Sequence, residues 1–267
     1  MTDDTPFYQA DGLNVETFDE LTAQDFAPGD KDVAFYLRQA RRFGGPVLDL
    51  GAGTGRVAWP LAEAGFDVVG LDLSEAMLRR AAAKGDRHAP DVRERVRFLP
   101  GNMADFDLEQ QFALVIIAFR SFQALLSPED QRRCLNCIHR HLKPGGRLIL
   151  DLFDPRLDLC VPDAKNPCDK PTVCHPVSGN KVEIEFTRLR TDPLQQLLVE
   201  RWRFQEIDDA GKVIREDIDH LALRWTYRHE MRYLLELTGF QIEAEYSDYD
   251  ESPPAYGREQ LWVVRKP

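Results

Sequence analysis

The sequence predicts an α/β fold built on a mostly parallel sheet, and three observations support this prediction. Short apolar runs typical of buried strands alternate with helix-like segments through residues 47–153. The first run, Val47–Leu50, ends at three glycines spaced two residues apart, and a helical pattern follows. Of the 267 residues, 43% are hydrophobic, which is enough to form a large core. We therefore expect one large domain, or a domain with a sizeable insertion.

Composition excludes several classes of protein. The formal net charge is −11, from 34 basic and 45 acidic residues, and this balance argues against broad nucleic-acid binding. No apolar run approaches the roughly 18 residues that span a bilayer, so no membrane association is expected. The polar and acidic residues 1–6 do not resemble a secretory signal, and five cysteines is an odd number. We expect a cytoplasmic protein with reduced thiols.

The elements before the glycine turn are helical. Apolar residues at Val15, Phe18 and Leu21 indicate a short helix within a mixed segment of residues 1–30. A second helical pattern covers residues 31–43 and ends at Gly44.

The glycine turn after Val47–Leu50 joins a strand to a helix that ends near Gly65. Glycine suits such a turn because it reaches positive φ easily and lets a ligand approach the backbone. The following helix N-terminus offers N–H groups to a carboxylate or phosphate. Dinucleotide folds use G-x-G-x-x-G, whereas here the sixth position is Arg56 and the pattern is G-x-G-x-G, with Asp49 inside the strand.

A second buried strand, Phe66–Asp72, ends in an acid about 20 residues beyond the glycine turn, where a carboxylate can bind both ribose hydroxyls of an adenosine. Ser74 then begins a helix as its N-cap. A third strand, Val96–Leu99, leads into a turn that contains Asn102 and Met103.

A fourth strand, Phe112–Phe119, is apolar throughout. Ser127 and Pro128 then start a helix that reaches Leu142. The segment Lys143–Gly146 ends that helix, and a fifth strand, Arg147–Phe153, follows.

These motifs in order resemble the class I S-adenosylmethionine (SAM) methyltransferases. An acidic residue before G-x-G-x-G resembles the family's first motif, and L-K-P-G-G-x-L-I-L-D resembles its fifth-strand signature. The resemblance covers residues 47–153 and implies a Rossmann-like sheet in the order 3-2-1-4-5-7-6, with strand 7 antiparallel and helices on both faces. It assigns helix 230–237 and strands 240–246 and 260–265 to the end of that fold. The segment 119–126 looks most like bacterial small-molecule members.

Residues 154–226 differ from the rest of the chain. An irregular stretch at 154–180 precedes runs of alternating apolar and polar residues, and Asp208–Lys212 reads as a hairpin turn. We expect about three antiparallel strands inserted as a cover for the substrate. The expected domains are a SAM-binding core at 1–153 and 227–267, with an N-terminal helical lid, and the insert at 154–226.

The strand ends and the resemblance together nominate a donor site. In the family, the turn after the third strand often reads G-D-M and holds the adenine; Asn102 replaces the acid here, and an amide can still bond the base. The predicted cofactor-binding residues are Asp49, Gly51, Ala52, Gly53, Gly55, Arg56, Asp72, Leu73, Met77, Asn102, Met103 and Phe119.

No catalytic residue is predicted, because a sulfonium donor is already activated and the protein chiefly aligns and desolvates the nucleophile. A general base is needed only for acceptors that remain protonated. Arg120 would suit a carboxylate or phosphate on the acceptor. The residues that we select as possible contacts of the acceptor are Tyr8, Arg120, His220, Trp225 and Tyr249.

No metal site is predicted. On a continuous helix Cys134, Cys137 and His141 lie near one face beside leucines, so they are expected in the core, whereas Cys160, Cys168 and Cys174 have irregular spacing. The predicted function is methyl transfer from SAM to an N, O or C atom of a small molecule, by a monomer or homodimer. An NAD-type oxidoreductase, a non-catalytic SAM-binding protein and a macromolecular acceptor remain as alternatives.

Overall fold

The computed structural model describes residues 7–8, 11–26, 31–158, 160–161 and 171–267. The chain divides into two compact units. The sheet unit comprises residues 31–156 and 224–267, and the second unit comprises the described residues within 1–30 and 157–223. The N-terminal segment therefore groups with the inserted strands. The role of residues 154–226 as a cover for the substrate stays a prediction.

The sheet unit contains the predicted seven-stranded sheet. Its strands are β1 Val47–Leu50, β2 Val68–Asp72, β3 Val96–Pro100, β4 Phe112–Ile117, β5 Leu142–Phe153, β10 Gln241–Tyr246 and β11 Glu259–Arg265. Their order is β3-β2-β1-β4-β5-β11-β10, and β11 runs antiparallel to both neighbours. This confirms the predicted order 3-2-1-4-5-7-6.

Helices cover both faces of this sheet. They are α3 Lys31–Phe43, α4 Ala58–Glu63, α5 Glu75–Lys84, α6 Pro90–Arg93, α7 Pro128–His141 and α8 Arg228–Leu237. Neighbouring residues of β1 enter different cores: Leu48 packs in the cluster that contains Leu135 of α7, and Val47 in the cluster that contains Phe35 of α3. A strand buried on both faces explains the unbroken apolar runs of the sequence.

The second unit combines short helices with an antiparallel sheet. The helices are α1 Leu13–Glu16 and α2 Phe18–Leu21, and a π-helical turn covers Thr22–Phe26. The strands are β6 Thr172–Cys174, β7 Lys181–Asp192, β8 Leu197–Ile207 and β9 Val213–Arg224, in that spatial order.

This sheet has four strands, of which β7, β8 and β9 match the alternating runs that led to the expectation of about three. The additional strand, β6, lies in the stretch predicted to be irregular and pairs with β7. Three residues are too few to show a period of two in the sequence, and only the pairing defines the strand. Among the described residues, no helix is both long and apolar enough to cross a membrane.

Candidate active site

The glycine turn after β1 is held to the neighbouring strand β2 by its backbone. Gly51, Gly53 and Gly55 have φ values of +74°, +54° and +76°. The Gly51 N–H donates to the Leu71 carbonyl at 2.8 Å, and the Gly53 N–H donates to the Asp72 carboxylate at 2.7 Å. The turn therefore has a fixed shape at the carboxyl edge of the sheet, where open α/β sheets bind their ligands.

The three glycines serve two different purposes. A Cβ on Gly51 would lie 2.7 Å from the Ser121 side chain, and one on Gly55 would lie 2.8 Å from Trp59. Both positions are therefore closely packed against protein. A Cβ on Gly53 would meet nothing within 4 Å among the described residues. Gly53 is thus the position at which a ligand can approach the backbone.

Asp72, at the end of β2, orders this turn. One carboxylate oxygen accepts the Gly53 N–H, and the other accepts the Ser74 N–H at 2.8 Å. Burial raises the pKa of Asp72, although the backbone hydrogen bonds from Ser74, Gly53 and Leu73 act in the opposite direction. Asp72 is only partly buried, as a predicted ribose ligand must be.

Asp49, in the middle of β1, carries a carboxylate that the protein does not satisfy. Its side chain is buried, and neither oxygen has a hydrogen-bond partner among the described residues. Burial raises its pKa to about 7, and the nearby Asp72 carboxylate acts in the same direction. A buried carboxyl without partners is costly unless a donor or cation reaches it. A ligand with a cationic group, such as SAM, would relieve that cost.

Arg56 does not project freely from the turn. Its guanidinium makes a two-pronged ion pair with the buried Asp32 of α3, with one N–O distance of 2.9 Å, and lies 5.3 Å from the centre of the Phe119 ring. Its predicted contact with the donor stays a prediction, and the structure gives it a role in joining α3 to the turn.

The remaining predicted donor residues surround the same edge. Asn102 is exposed, and its side-chain oxygen accepts the Ala104 N–H at 2.9 Å, which is an Asx-turn. Met103 lies next to Gly51, whose added Cβ would be 3.4 Å from its terminal methyl group. Met77 and Ala52 are buried, whereas Leu73 is half exposed.

A buried carboxylate that the sequence analysis did not nominate lies on the other side of the glycine turn. Asp151 of β5 accepts hydrogen bonds from the backbone N–H groups of Phe119 and Arg120 at 3.0 and 2.5 Å. It also accepts the hydroxyls of Tyr36 and Tyr249 at 2.5 and 3.0 Å. Two sequence signals mark it: it is an acid inside an apolar strand, like Asp49 in β1, and it is the last residue of the fifth-strand signature.

Two predicted acceptor contacts, Arg120 and Tyr249, meet at this carboxylate. Arg120 forms an ion pair with Glu259, which holds the pKa of the guanidinium above its ordinary value although burial acts the other way. Burial and the neighbouring Asp151 raise the pKa of Tyr249 well above its usual value. Tyr249 is therefore a protonated hydrogen-bond donor at neutral pH.

The other three predicted contacts lie elsewhere. Trp225 is fully buried in the sheet unit. Tyr8 and His220 belong to the second unit, where Tyr8 packs edge-on against Phe7 with ring centres 4.6 Å apart. Their contact with the acceptor stays a prediction.

Cysteine and histidine side chains were the other group considered as ligands. Cys134 and Cys137 are buried in the core, as expected, and Cys168 lies outside the described residues. Within the ranges that the structure describes, no cluster of three or more His, Cys, Asp or Glu side chains could hold a metal ion.

Comparison with known proteins identifies the class of reaction. A family model described as a methyltransferase domain matches residues 47–146. Over 96% of this chain and 97% of the relative, the sequence is 27% identical to the cypemycin N-terminal methyltransferase of a Streptomyces species. It is 29% identical to the glycine/sarcosine N-methyltransferase of Aphanothece halophytica, over 93% of this chain and 87% of the relative.

The fold leads to the same result. The structure of the CcbJ methyltransferase from Streptomyces caelestis superposes with a TM-score of 0.78 and 26% sequence identity, covering 99% of each chain. The matched domain contains the glycine turn and Asp72, and the sheet order is that implied by the motifs. The alternatives of an NAD-type oxidoreductase and a non-catalytic SAM-binding protein do not agree with these matches. Residues 47–146 thus form a methyltransferase domain, the fold around it resembles that of class I SAM-dependent methyltransferases, and the protein is an enzyme that uses SAM as its methyl donor.

Proposed function

We propose that this enzyme transfers the methyl group of SAM to the nitrogen of a small-molecule amine by in-line displacement. The name of one relative, the glycine/sarcosine N-methyltransferase, specifies N-methylation, which supports a nitrogen acceptor in this chain. The structural observation that carries the proposal is the charge at the carboxyl edge of β1, β4 and β5. Buried carboxylates lie at this edge, and Arg56 and Arg120 are both paired with acids.

The donor side of the proposal rests on the glycine turn and the two acids of β1 and β2. Gly53 would let the donor approach the backbone, Asp72 would hold the ribose hydroxyls, and Asp49 would face a cationic part of the molecule. When bound, SAM supplies an electrophilic methyl group on a positively charged sulfur. The task left to the protein is to align an acceptor with that methyl group and to exclude water.

The acceptor side favours an amine over an anionic group. Arg120, the residue predicted to bind an acceptor carboxylate or phosphate, is already paired with Glu259, and Arg56 is paired with Asp32. Neither arginine leaves an uncompensated positive charge that would repel a sulfonium or an ammonium group. An amine must lose its proton before it attacks. Tyr249 is not the base for that step, because its raised pKa keeps the phenol protonated.

Paired acceptors that differ only in the nucleophile test this proposal. The purified protein is incubated with SAM and either glycine or glycolate, and either a 3-amino sugar nucleotide or its 3-hydroxy counterpart. Formation of S-adenosylhomocysteine is measured, and the methylated product is identified by mass spectrometry. We expect turnover with an amine and none with its matched alcohol. Methylation of oxygen or carbon in preference to nitrogen would contradict the proposal.

A further inference from the structure

Asp151 is the most heavily hydrogen-bonded carboxylate at the reactive edge of the sheet. It is fully buried in β5, yet four donors from three other segments of the chain converge on its two oxygens. Burial raises its pKa to about 6, so the carboxylate is charged at neutral pH. A buried charge is retained at such a position only when its partners satisfy it, and here they do.

The turn that Asp151 binds has an unusual backbone. Phe119 and Arg120 follow β4 with φ values of +54° and +63°, a conformation that non-glycine residues rarely adopt. This conformation directs both N–H groups at the same carboxylate, one to each oxygen. Two successive backbone N–H groups that converge on an anion stabilise the strained turn, which would otherwise relax.

The same turn packs directly against the donor loop. Ser121 follows it, and its hydroxyl donates to the Ala118 carbonyl at 2.8 Å. Its side chain lies so close to Gly51 that a Cβ there would be only 2.7 Å away. A shift of the turn after β4 would therefore move one wall of the space beside the glycine turn.

Two phenols connect this carboxylate to further elements. Tyr36 comes from α3 and Tyr249 from the segment after β10, and both hydroxyls donate to the same oxygen of Asp151. Burial, together with the Asp151 charge, raises the pKa of both phenols well above the usual value, so both remain donors. The carboxylate thus ties α3, the turn after β4 and the C-terminal loop together.

We propose that Asp151 is a positioning residue for methyl transfer, because its carboxylate holds the turn Phe119–Ser121 against the glycine turn and so sets where the acceptor lies relative to the donor. This role rests on the proposed function. It does not require Asp151 to touch either substrate. Misplacement of reacting groups by about 1 Å can lower a rate on the order of a hundredfold, so the effect on turnover is large.

The test compares D151N with D154N. An asparagine at position 151 retains the size of the side chain. Its NH₂ group, however, faces hydrogen-bond donors and cannot accept their hydrogen bonds. Asp154 is the matched control, because it is buried just beyond the end of β5 and accepts hydrogen bonds from Gly257 and Gln260, neither of which belongs to the turn. Hydrogen exchange of the Phe119 and Arg120 amides is measured by NMR in each protein, and kcat and the KM for SAM are measured alongside.

In D151N we expect exchange of both amides to accelerate at least tenfold and kcat to fall about 10- to 100-fold. The KM for SAM should change by less than about threefold, because Gly53 and Asp72 are untouched. In D154N both amides and kcat should match the parent. Unchanged protection in D151N, or an equal loss of kcat in D154N, would overturn the proposal.

Two further results separate this proposal from the proposed function. If the enzyme methylates only a hydroxyl, the amine proposal fails, and the ratio of kcat between D151N and the parent is read on that acceptor. If no acceptor is turned over, amide exchange alone decides. If D151N does not fold, Y249F takes its place, since it removes one donor and leaves the carboxylate. A loss of amide protection and of kcat in Y249F that is smaller than the loss expected for D151N would support the role of Asp151. If Y249F loses neither, that role is contradicted.

Discussion

The close approach of a ligand to Gly53 can be tested with a single methyl group. G53A adds a Cβ that meets nothing within 4 Å among the described residues, so packing in the free protein is unchanged. The φ of +54° is in the left-handed region, where alanine costs about 1–2 kcal/mol. We expect this cost to lower the unfolding midpoint by about 2–8 °C for a chain of this size.

Binding of SAM should suffer much more than stability. The Gly53 N–H is fixed to Asp72 at 2.7 Å, so the turn has little freedom to move the new methyl group aside. A methyl group forced into a close contact costs about 1–3 kcal/mol. Since 1.4 kcal/mol corresponds to tenfold in affinity, the Kd for SAM should rise about 5- to 150-fold. Isothermal titration calorimetry with SAM and S-adenosylhomocysteine measures the change.

Gly44 provides the matched control. Its φ is +80°, and a Cβ there would also meet nothing within 4 Å among the described residues, but it follows α3 rather than β1. G44A should therefore destabilise the protein at least as much as G53A and leave the Kd for SAM unchanged. The reasoning is refuted if G53A binds SAM like the parent, or if G44A loses affinity to the same extent.

Three further predictions concern the charged residues around the turn. D72A should raise the Kd for SAM at least about tenfold, because hydrogen bonds to a charged group contribute about 1.5–3 kcal/mol each, and calorimetry showing parent-like affinity would contradict this. The pKa of Asp49 is about 7 in the folded protein, whereas an Asp in an unfolded chain has a pKa of about 3.9, so Asp49 favours folding below pH 4 and that contribution is lost as the pH rises to 7. The full difference between these two pKa values corresponds to roughly 4 kcal/mol of unfolding free energy. In urea unfolding without ligand, D49N should therefore lose less stability than the parent between pH 4 and pH 8. Parallel profiles of stability against pH in the two proteins would exclude this account. R56M should destabilise the protein by about 3–5 kcal/mol because it leaves Asp32 charged and buried. In a double-mutant cycle, combining D32N with R56M should recover part of that stability. Additive losses would show that the two residues are not coupled.

Much of the sheet unit follows from local patterns in the sequence. Apolar runs locate the strands, because strands buried on both faces carry few polar residues. Ser74 and Ser127 mark helix starts, and in the structure each side chain accepts a backbone N–H of the first turn, as a cap does. The order of the strands does not follow from periodicity, and it was predicted by resemblance to a family.

The residues proposed for the donor side could also be nominated from sequence. Its residues belong to one short segment, the glycine turn, and to the next strand end at Asp72, so their spacing along the chain already implies proximity. The spacing did not show that the three glycines differ in how closely other side chains pack against them. Only the packing of Ser121 and Trp59 reveals that Gly51 and Gly55 fit against protein, whereas Gly53 is open.

The acceptor side depends on contacts between distant segments. Tyr36 lies 115 residues from Asp151 along the chain, Tyr249 lies 98 residues away, and the Phe119 amide lies 32 residues away. Arg120 was predicted to suit a carboxylate or phosphate on the acceptor, yet it pairs with Glu259, 139 residues later. The sequence by itself thus indicated the strands of the sheet unit, the glycine turn and the class of cofactor, because each of these is encoded within a few consecutive residues. Only the tertiary structure decided which charges are paired and which carboxylate organises the acceptor side, because those interactions form when the sheet brings its carboxyl ends together.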